Sequence, residues 1–211
     1  MNKHRILVVD DHPMVRDWLT QVINREPDLI VSGEASNAAE ALEKIAGDLP
    51  DMAIVDLTMK DSHGTELVRE IAQRFANVPV LVVSMHDESL YGERAIRAGA
   101  KGYITKQEAG DQIRTAIRKV LAGKIYLSDA LASRMISRAA GQFPSATNDL
   151  SDRQLVVLRL IGRGLSTSQI AGELSLSVKT VEGYIARIKR KLGLTTAGEL
   201  LRYAIECCRE G

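Results

Sequence analysis

The first 122 residues alternate between short apolar runs and stretches with a helical pattern. The apolar runs lie at 5–10, 29–35, 51–57, 79–85 and 102–106. Between them, apolar residues recur three and four positions apart, as in Val15, Leu19 and Val22, which is the spacing of an amphipathic helix. This alternation predicts a parallel sheet with helices on both faces. Right-handed crossovers favour a flavodoxin-like, doubly wound α/β sheet of five strands in the order 2-1-3-4-5.

The pattern changes beyond residue 123, and the carboxy-terminal residues 150–211 show only helical patterns. Residues 129–140 predict one short helix, and residues 141–149 have the Gly, Pro, Ser and Asn content of an exposed connector. Ser151 and Ser166 each precede a glutamine by three positions, which is the spacing of a capping box at a helix start. Further helices are predicted from Ser177 to about Leu192 and from Ala197 to Arg209, which gives an all-α four-helix unit. The predicted domains are therefore 1–123, a connector at 124–149, and 150–211.

Composition agrees with two folded units. The 211 residues are 45% hydrophobic and 26% charged, and no apolar stretch approaches the roughly 18 residues that cross a bilayer. We therefore expect a cytoplasmic protein with no membrane contact. Residues 1–149 carry 18 basic and 21 acidic residues, a net charge of −3, whereas residues 150–211 carry 10 and 6, a net charge of +4. The basic segment favours a polyanionic partner, and the 4% aromatic content favours duplex over single-stranded DNA.

Polar residues lie at the carboxyl ends of four of the predicted strands. Asp10 and Asp11 end strand one, Asp56 ends strand three, Ser84 ends strand four, and Lys106 ends strand five. The carboxyl ends of parallel strands form the ligand crevice of an open sheet, so the three aspartates are expected to meet where the strand order reverses. Carboxylates this close either take up a proton or bind a hard cation, and Mg²⁺ suits oxygen ligands with positions open to water.

This constellation resembles the receiver domain of two-component response regulators over about residues 4–122. The resemblance implies that Asp56 accepts a phosphoryl group from a phosphohistidine on a sensor histidine kinase. It also implies that Mg²⁺ is held by Asp10, Asp11, Asp56 and the backbone carbonyl of Thr58.

The same resemblance implies roles for three residues on the last two predicted strands. Lys106 would offset the charge that builds on the transferring oxygens, and Ser84 and Tyr103 would form the switch that responds to the phosphoryl group. Lys60 departs from the pattern, because the family usually has proline there. His12 lacks the partners of a metal site or catalytic triad, and we interpret it as an exposed loop histidine.

The predicted helix that begins near Ser177 separates an apolar stripe from a basic face. Its apolar positions include Val181, Ile185 and Ile188. Basic residues flank small ones on the other face, which fits the major groove of DNA, although a solvated basic face explains the same pattern. That face contains Lys179, Glu182, Gly183, Ala186, Lys189 and Arg190.

Residues 150–211 resemble the LuxR-type helix-turn-helix domain through the string LSDRQLVVLRLIGRGLSTSQIAGELSLSVKTVEGYIARIKRKLGL. Together with a receiver, this is similar to the NarL/FixJ family of response regulators. The likeness makes the helix from Ser177 the recognition helix. Gly183 and Ala186 offer little beyond apolar contact and close approach, and Glu182 and Ile185 stand where some relatives carry basic residues, so we expect sparse direct base readout and a larger contribution from DNA shape. Its implied phosphate contacts are Lys179, Thr180, Lys189 and Arg190, with Glu182, Gly183 and Ala186 at the groove floor. Its implied dimer contacts on the final helix are Leu200, Leu201, Tyr203, Ala204 and Ile205.

The sequence thus predicts a phosphorylation-controlled, homodimeric transcription factor and not an enzyme. Two alternatives stay open. One is a DNA-binding regulator that is independent of phosphorylation and uses its receiver only to dimerise. The other is a Mg²⁺-dependent phosphatase with an aspartate nucleophile, which would need a general acid and a substrate cap that the sequence does not indicate.

Overall fold

A computed structural model describes residues 3–59, 62–85, 88–139 and 150–209. The chain divides into two compact units, Met1–Arg134 and Met135–Gly211. Lys60 and the predicted connector at 141–149 lie outside the described residues.

The sheet strands of the first unit are β1 (His4–Val9), β2 (Leu29–Ala35), β3 (Met52–Val55), β6 (Val80–Ser84) and β7 (Gly102–Thr105). They form one parallel sheet in the order β2-β1-β3-β6-β7. Counted along the chain among the sheet strands, this is the predicted order 2-1-3-4-5, which is confirmed. Every residue of β3 and β6 is buried, because both central strands are covered on both faces.

Helices connect these strands and cover the two faces. Alternate strand residues such as Ile6 and Ile54 pack with Leu19 of α1 and Ile117 of α5 in one core cluster. The opposite face buries side chains of α2 and α3, among them Ile45. The helices of this unit are α1 (Pro13–Asn24), α2 (Ala38–Gly47), α3 (Gly64–Arg74), α4 (Glu88–Ala98) and α5 (Ala109–Leu121).

One small element was not predicted. The strands β4 (Thr58–Met59) and β5 (Ser62–His63) pair antiparallel between β3 and α3. Strands of two residues are too short to produce an alternating pattern that sequence reading can detect. Their pairing nonetheless turns the chain back toward the end of β3.

The chain beyond α5 stays attached to the first unit. The carbonyl of Tyr126 accepts a hydrogen bond from the Tyr103 N–H at 3.2 Å, beside the last sheet strand. Helix α6 (Asp129–Ala139) begins nearby, and its Leu131 is 1% exposed. A Cβ built on Gly92 of α4 would lie 2.6 Å from Leu131, so Gly92 makes room for this contact. The first residues of the predicted connector, including Tyr126 and Leu131, therefore pack on the sheet unit. The domain boundaries at 123 and 149 remain predictions.

Within residues 150–209, the structure describes four helices, as predicted. Capping boxes at Ser151 and Ser166 begin the first two, and the side chain of Ser177 caps the third. The third helix ends at Gly193, whose φ of +67° suits glycine. No helix within the described ranges combines the length and apolarity needed to cross a bilayer. The helices are α7 (Asp152–Gly162), α8 (Thr167–Glu173), α9 (Val178–Leu192) and α10 (Ala197–Arg209).

Candidate functional site

The carboxyl ends of neighbouring strands bring the predicted acidic residues together. Asp10 follows β1 and Asp56 follows β3, and these two strands are paired in the sheet. Both residues are only 1% exposed. Ligand atoms of Asp10, Asp11, His12 and Asp56 all lie within 4.8 Å of one another. We call these four residues and Lys106 the acidic pocket.

Lys106 places a positive charge inside this pocket. Its Nζ lies 2.6 Å from Asp10 Oδ2 and 2.7 Å from Asp56 Oδ2, and its side chain is 8% exposed. Burial acts to lower the pKa of Lys106, but the Asp56 charge and hydrogen bonds to Asp10 and Asp56 outweigh it, and its pKa is raised. The Lys106 N–H also donates to the Ser84 carbonyl at 2.7 Å, which fixes the end of β7 beside β6.

The backbone around Asp56 holds its carboxyl group in one orientation. The Asp56 N–H donates to the Val9 carbonyl at 2.9 Å, which ties it to β1. The Thr58 N–H donates to Asp56 Oδ1 at 3.0 Å, while Oδ2 accepts from Lys106. Both oxygens therefore have defined partners, and the Thr58 backbone lies beside the carboxyl group.

Gly64 is a residue of this site whose role the sequence did not indicate. A Cβ built there would lie 2.4 Å from Leu57 Cα and 2.6 Å from the Asp56 carbonyl oxygen. These are backbone atoms that cannot rotate away. Gly64 therefore lets α3 begin directly against the chain that carries Asp56.

The two predicted switch residues lie together. Ser84 is fully buried and Tyr103 is 1% exposed. Their side chains share a hydrogen bond, and burial raises the pKa of Tyr103. The Thr58 hydroxyl lies 3.5 Å from the Ser84 hydroxyl, so Ser84 lies between the strand that carries Tyr103 and the residue that contacts Asp56.

His12 lies closer to the acidic residues than its sequence interpretation suggested. Its Nδ1 is 2.7 Å from Asp11 Oδ1 and 3.3 Å from Asp10 Oδ1, although 58% of the side chain is exposed. The backbone N–H of His12 donates to Asp10 Oδ1 at 2.9 Å. The missed signal was adjacency, since His12 follows Asp10 and Asp11 directly and precedes the first residue of α1.

The predicted DNA-contacting residues share helix α9 but differ in their surroundings. Lys179, Glu182, Ala186 and Arg190 are exposed, whereas Gly183 is partly covered. The Thr180 hydroxyl lies 2.7 Å from Ser177 Oγ at the helix cap.

Lys189 makes a contact within its own unit. Its Nζ donates to the Thr195 carbonyl at 3.2 Å, and its side chain is partly buried. Lys189 and Thr180 therefore contact helix-end groups of their own unit.

The predicted dimer contacts on α10 fall into two groups. Leu200 and Ala204 are 3% and 0% exposed and lie on the helix that packs against α7. Leu201 is 41% exposed, while Tyr203 and Ile205 are partly buried. The first two residues thus belong to the interior of the unit, and Leu201 lies on its surface.

Comparison with known proteins assigns a class to each unit. Residues 6–118 match the family model of the response regulator receiver domain, and residues 148–204 match that of bacterial regulatory proteins of the luxR family. The protein is therefore a response regulator with a receiver domain and a LuxR-type DNA-binding domain. It belongs to the NarL/FixJ family.

Relatives resemble the chain over nearly its whole length. It is 33% identical to the oxygen regulatory protein NreC of Staphylococcus carnosus, over 96% of this chain and 97% of the relative. It is 32% identical to the DNA-binding transcriptional activator DevR/DosR of Mycobacterium tuberculosis, over 97% of this chain and 95% of the relative. These relatives are regulators and not enzymes, and this chain is assigned to the same class.

Solved structures share the fold. A two-component response regulator of the LuxR family from Aurantimonas is 34% identical with a TM-score of 0.60, over 66% of this chain and 99% of that one. RcsB from Salmonella enterica serovar Typhimurium, bound to the promoter rprA with phosphomimetic BeF₃⁻, is 24% identical with a TM-score of 0.62. That match covers 96% of this chain and 98% of that one.

Proposed function

We propose that this protein is a transcription regulator of the cytoplasm that is controlled by phosphorylation of Asp56. A sensor histidine kinase supplies the phosphoryl group, and the phosphorylated chain populates a homodimer that binds duplex DNA. The receiver is assigned to residues 1–123, the connector to 124–149 and the DNA-binding domain to 150–211. The observation that carries the proposal is the buried Asp56 carboxyl group, held 2.7 Å from the Lys106 ammonium group beside two further aspartates.

The donor set of the acidic pocket fits Mg²⁺. Three carboxyl groups face one lysine ammonium group, so a divalent cation would balance the remaining negative charge. Asp10, Asp11 and Asp56 would hold the ion together with the backbone carbonyl of Thr58. Bound Mg²⁺ supplies positive charge to the oxygens of the phosphoryl group during transfer.

The protein groups position the reacting atoms. An Asp56 oxygen attacks the phosphorus of the kinase phosphohistidine, a P–O bond forms, and the P–N bond breaks as the imidazole, already protonated on its other ring nitrogen, leaves in its neutral form. Lys106 stabilises negative charge on the transferring oxygens, because its ammonium group is already held beside Asp56. The Thr58 N–H fixes the other Asp56 oxygen and sets the direction of attack.

The switch acts through Ser84 and Tyr103. The Ser84 hydroxyl turns to a phosphoryl oxygen, and its hydrogen bond with Tyr103 changes as a result. Tyr103 also contacts Tyr126 through the backbone, so the rearrangement reaches the chain segment beyond α5. A shift from 1% to 99% of the DNA-competent state would require about 5.5 kcal/mol, so partial switching is expected.

The DNA-binding unit acts as a pair. One small unit buries roughly 600–1,000 Å² on DNA, and a dimer is needed for tight binding. The pair reads two half-sites about one helical turn apart. Exposed residues of α10 such as Leu201 contribute to the dimer, while Leu200 and Ala204 support it from inside each unit. On α9, the proposed contacts to DNA are Lys179, Thr180, Glu182, Gly183, Ala186, Lys189 and Arg190.

Replacement of Asp56 tests the proposal. Asp56→Asn keeps the size of the side chain but removes the nucleophilic carboxylate, and it should abolish labelling by a phosphohistidine donor. Asp17→Asn on the exposed face of α1 is the matched control and should label like the native protein. Circular dichroism and thermal unfolding establish that both variants fold. Labelling that survives in folded Asp56→Asn would refute the assignment.

A further inference from the structure

The exposed face of α9 lacks polar side-chain atoms at its centre. Lys179, Gly183, Ala186 and Arg190 recur at alternating spacings of four and three residues, and so share one side of the helix. The two residues in the middle of this row, Gly183 and Ala186, have no polar side-chain atoms. Since flanking cations position a helix on phosphates, recognition of base edges needs hydrogen-bonding groups between them.

The guanidinium group of Arg187 places hydrogen-bond donors beside Gly183, at the centre of this face. Its Nε donates to the Gly183 carbonyl at 3.1 Å, so the side chain folds back by one helical turn. Its guanidinium carbon lies 5.2 Å from the centre of the Tyr184 ring. A Cβ built on Gly183 would lie 3.5 Å from Arg187 Nη2, which places that nitrogen beside the bare backbone of Gly183. The guanidinium group therefore lies beside Gly183 on the exposed face.

The position of the guanidinium group is set before any DNA is bound. Arginine has five N–H donors, and the contact with Gly183 uses the one on Nε. Within residues 150–209, no other hydrogen bond or ion pair engages the two terminal nitrogens of Arg187. A side chain already held by an aromatic ring and a carbonyl loses less freedom when it binds than a mobile one does.

We propose that Arg187 reads a guanine in the major groove through its terminal nitrogens. Paired N–H donors on a planar group match the O6 and N7 acceptors of guanine, which is the commonest specific contact of arginine with DNA. This inference rests on the proposed binding of DNA by α9. It replaces the expectation of sparse direct readout, because the donors missing from Gly183 and Ala186 are supplied by a neighbour.

A selection from random-sequence duplex DNA tests this role. The full chain, treated with beryllofluoride and Mg²⁺, is compared with Arg187→Lys and Arg187→Ala. The native protein should select a guanine at one position of each half-site. Arg187→Lys keeps the positive charge but not the paired donors, so preference for that guanine should fall roughly 10- to 100-fold, while preferences at other positions remain.

Two comparisons give the test its controls. Arg190→Ala should weaken binding to all sequences alike and reduce the salt dependence, as expected for a phosphate contact. Arg163→Ala, at the exposed end of α7, should select the native sequences. The inference is overturned if Arg187→Lys and Arg187→Ala keep the native preference at every position, or if Arg187→Ala only weakens binding uniformly. A native chain that selects no sequence would instead refute the proposed DNA binding.

Discussion

The acidic pocket and the exposed face of α9 use charge in opposite ways. In the pocket, Lys106 and Asp56 are 50 residues apart in the sequence and follow different strands. Both side chains are nearly inaccessible to solvent, and Lys106 Nζ lies 2.7 Å from Asp56 Oδ2. On α9, Lys179 and Arg190 belong to one helix and are exposed. Changes in the pocket should therefore alter stability and chemistry together, whereas changes on α9 should alter DNA binding alone.

The largest effect is expected from Lys106→Met. This variant leaves Asp10 and Asp56 buried without their cation, which should lower the free energy of unfolding without Mg²⁺ by about 3 kcal/mol. Phosphoryl transfer to Asp56 should slow roughly 100-fold, since a positioned charge donor is lost. Urea unfolding and labelling kinetics measure the two effects. Lys101→Met, at an exposed site before β7, is the control, and equal behaviour of the two variants would contradict the role of Lys106.

Gly64→Ala should have the next largest effect. The new methyl group meets the backbone of Asp56 and Leu57 at distances that real Cβ atoms essentially never show, so the free energy of unfolding should fall by about 2 kcal/mol. Displacement of the same backbone should also slow labelling of Asp56. The control is Gly47→Ala in α2, where nothing lies within 4 Å of the added Cβ and stability should rise slightly. If Gly64→Ala and Gly47→Ala have the same free energy of unfolding, α3 does not need glycine where it lies against the backbone of Asp56 and Leu57.

Ser166→Ala probes the second unit with a smaller change. The Ser166 side chain accepts the Gln169 N–H in the capping box of α8, and its loss should cost about 1 kcal/mol. Thermal unfolding should show this change in the DNA-binding unit, while labelling of Asp56 stays native. Ser168→Ala, exposed on the same helix, is the control and should not destabilise. Slower labelling in Ser166→Ala would show that the two functions are not separable.

The smallest effect concerns pH. Backbone N–H groups of Thr196 and Thr195 lower the pKa of Glu199 to about 2 at the start of α10. Because this pKa lies below the ordinary value of 4.5, the stabilisation is present above about pH 4.5 and is lost as the pH falls toward 2. Native protein and Glu199→Gln should therefore differ in stability at neutral pH and converge in acid. Glu206→Gln on the same helix is the control, and a constant difference at all pH values would contradict this cap.

Sequence reading predicted the acidic pocket well because topology determines it. Once apolar runs define parallel strands, the residues that follow them must lie at one edge of the sheet, as Asp10, Asp56 and Lys106 do. What it missed depends on contacts between backbone segments. The hairpin between Asp56 and α3 is too short to leave a pattern, and the close approach at Gly64 appears only in three dimensions.

The exposed face of α9 was predicted as a surface but not in its conformations. Helical spacing placed Lys179 and Arg190 on the outside, and both are exposed. Spacing cannot show that the Lys189 side chain donates a hydrogen bond to the Thr195 carbonyl just beyond α9. Nor can it show that the Arg187 side chain folds back to the Gly183 carbonyl. Those positions depend on rotamers, which local sequence does not determine.

The link between Asp56 and α9 is tested most directly by the DNA affinity of the full chain, measured on a selected duplex with Mg²⁺, with and without beryllofluoride. Beryllofluoride should tighten binding by the native protein by roughly 5- to 150-fold, the usual range of coupling between two sites. It should leave Asp56→Asn unchanged. Equally tight binding by the native protein under both conditions would contradict the link and indicate a regulator that binds DNA without phosphorylation.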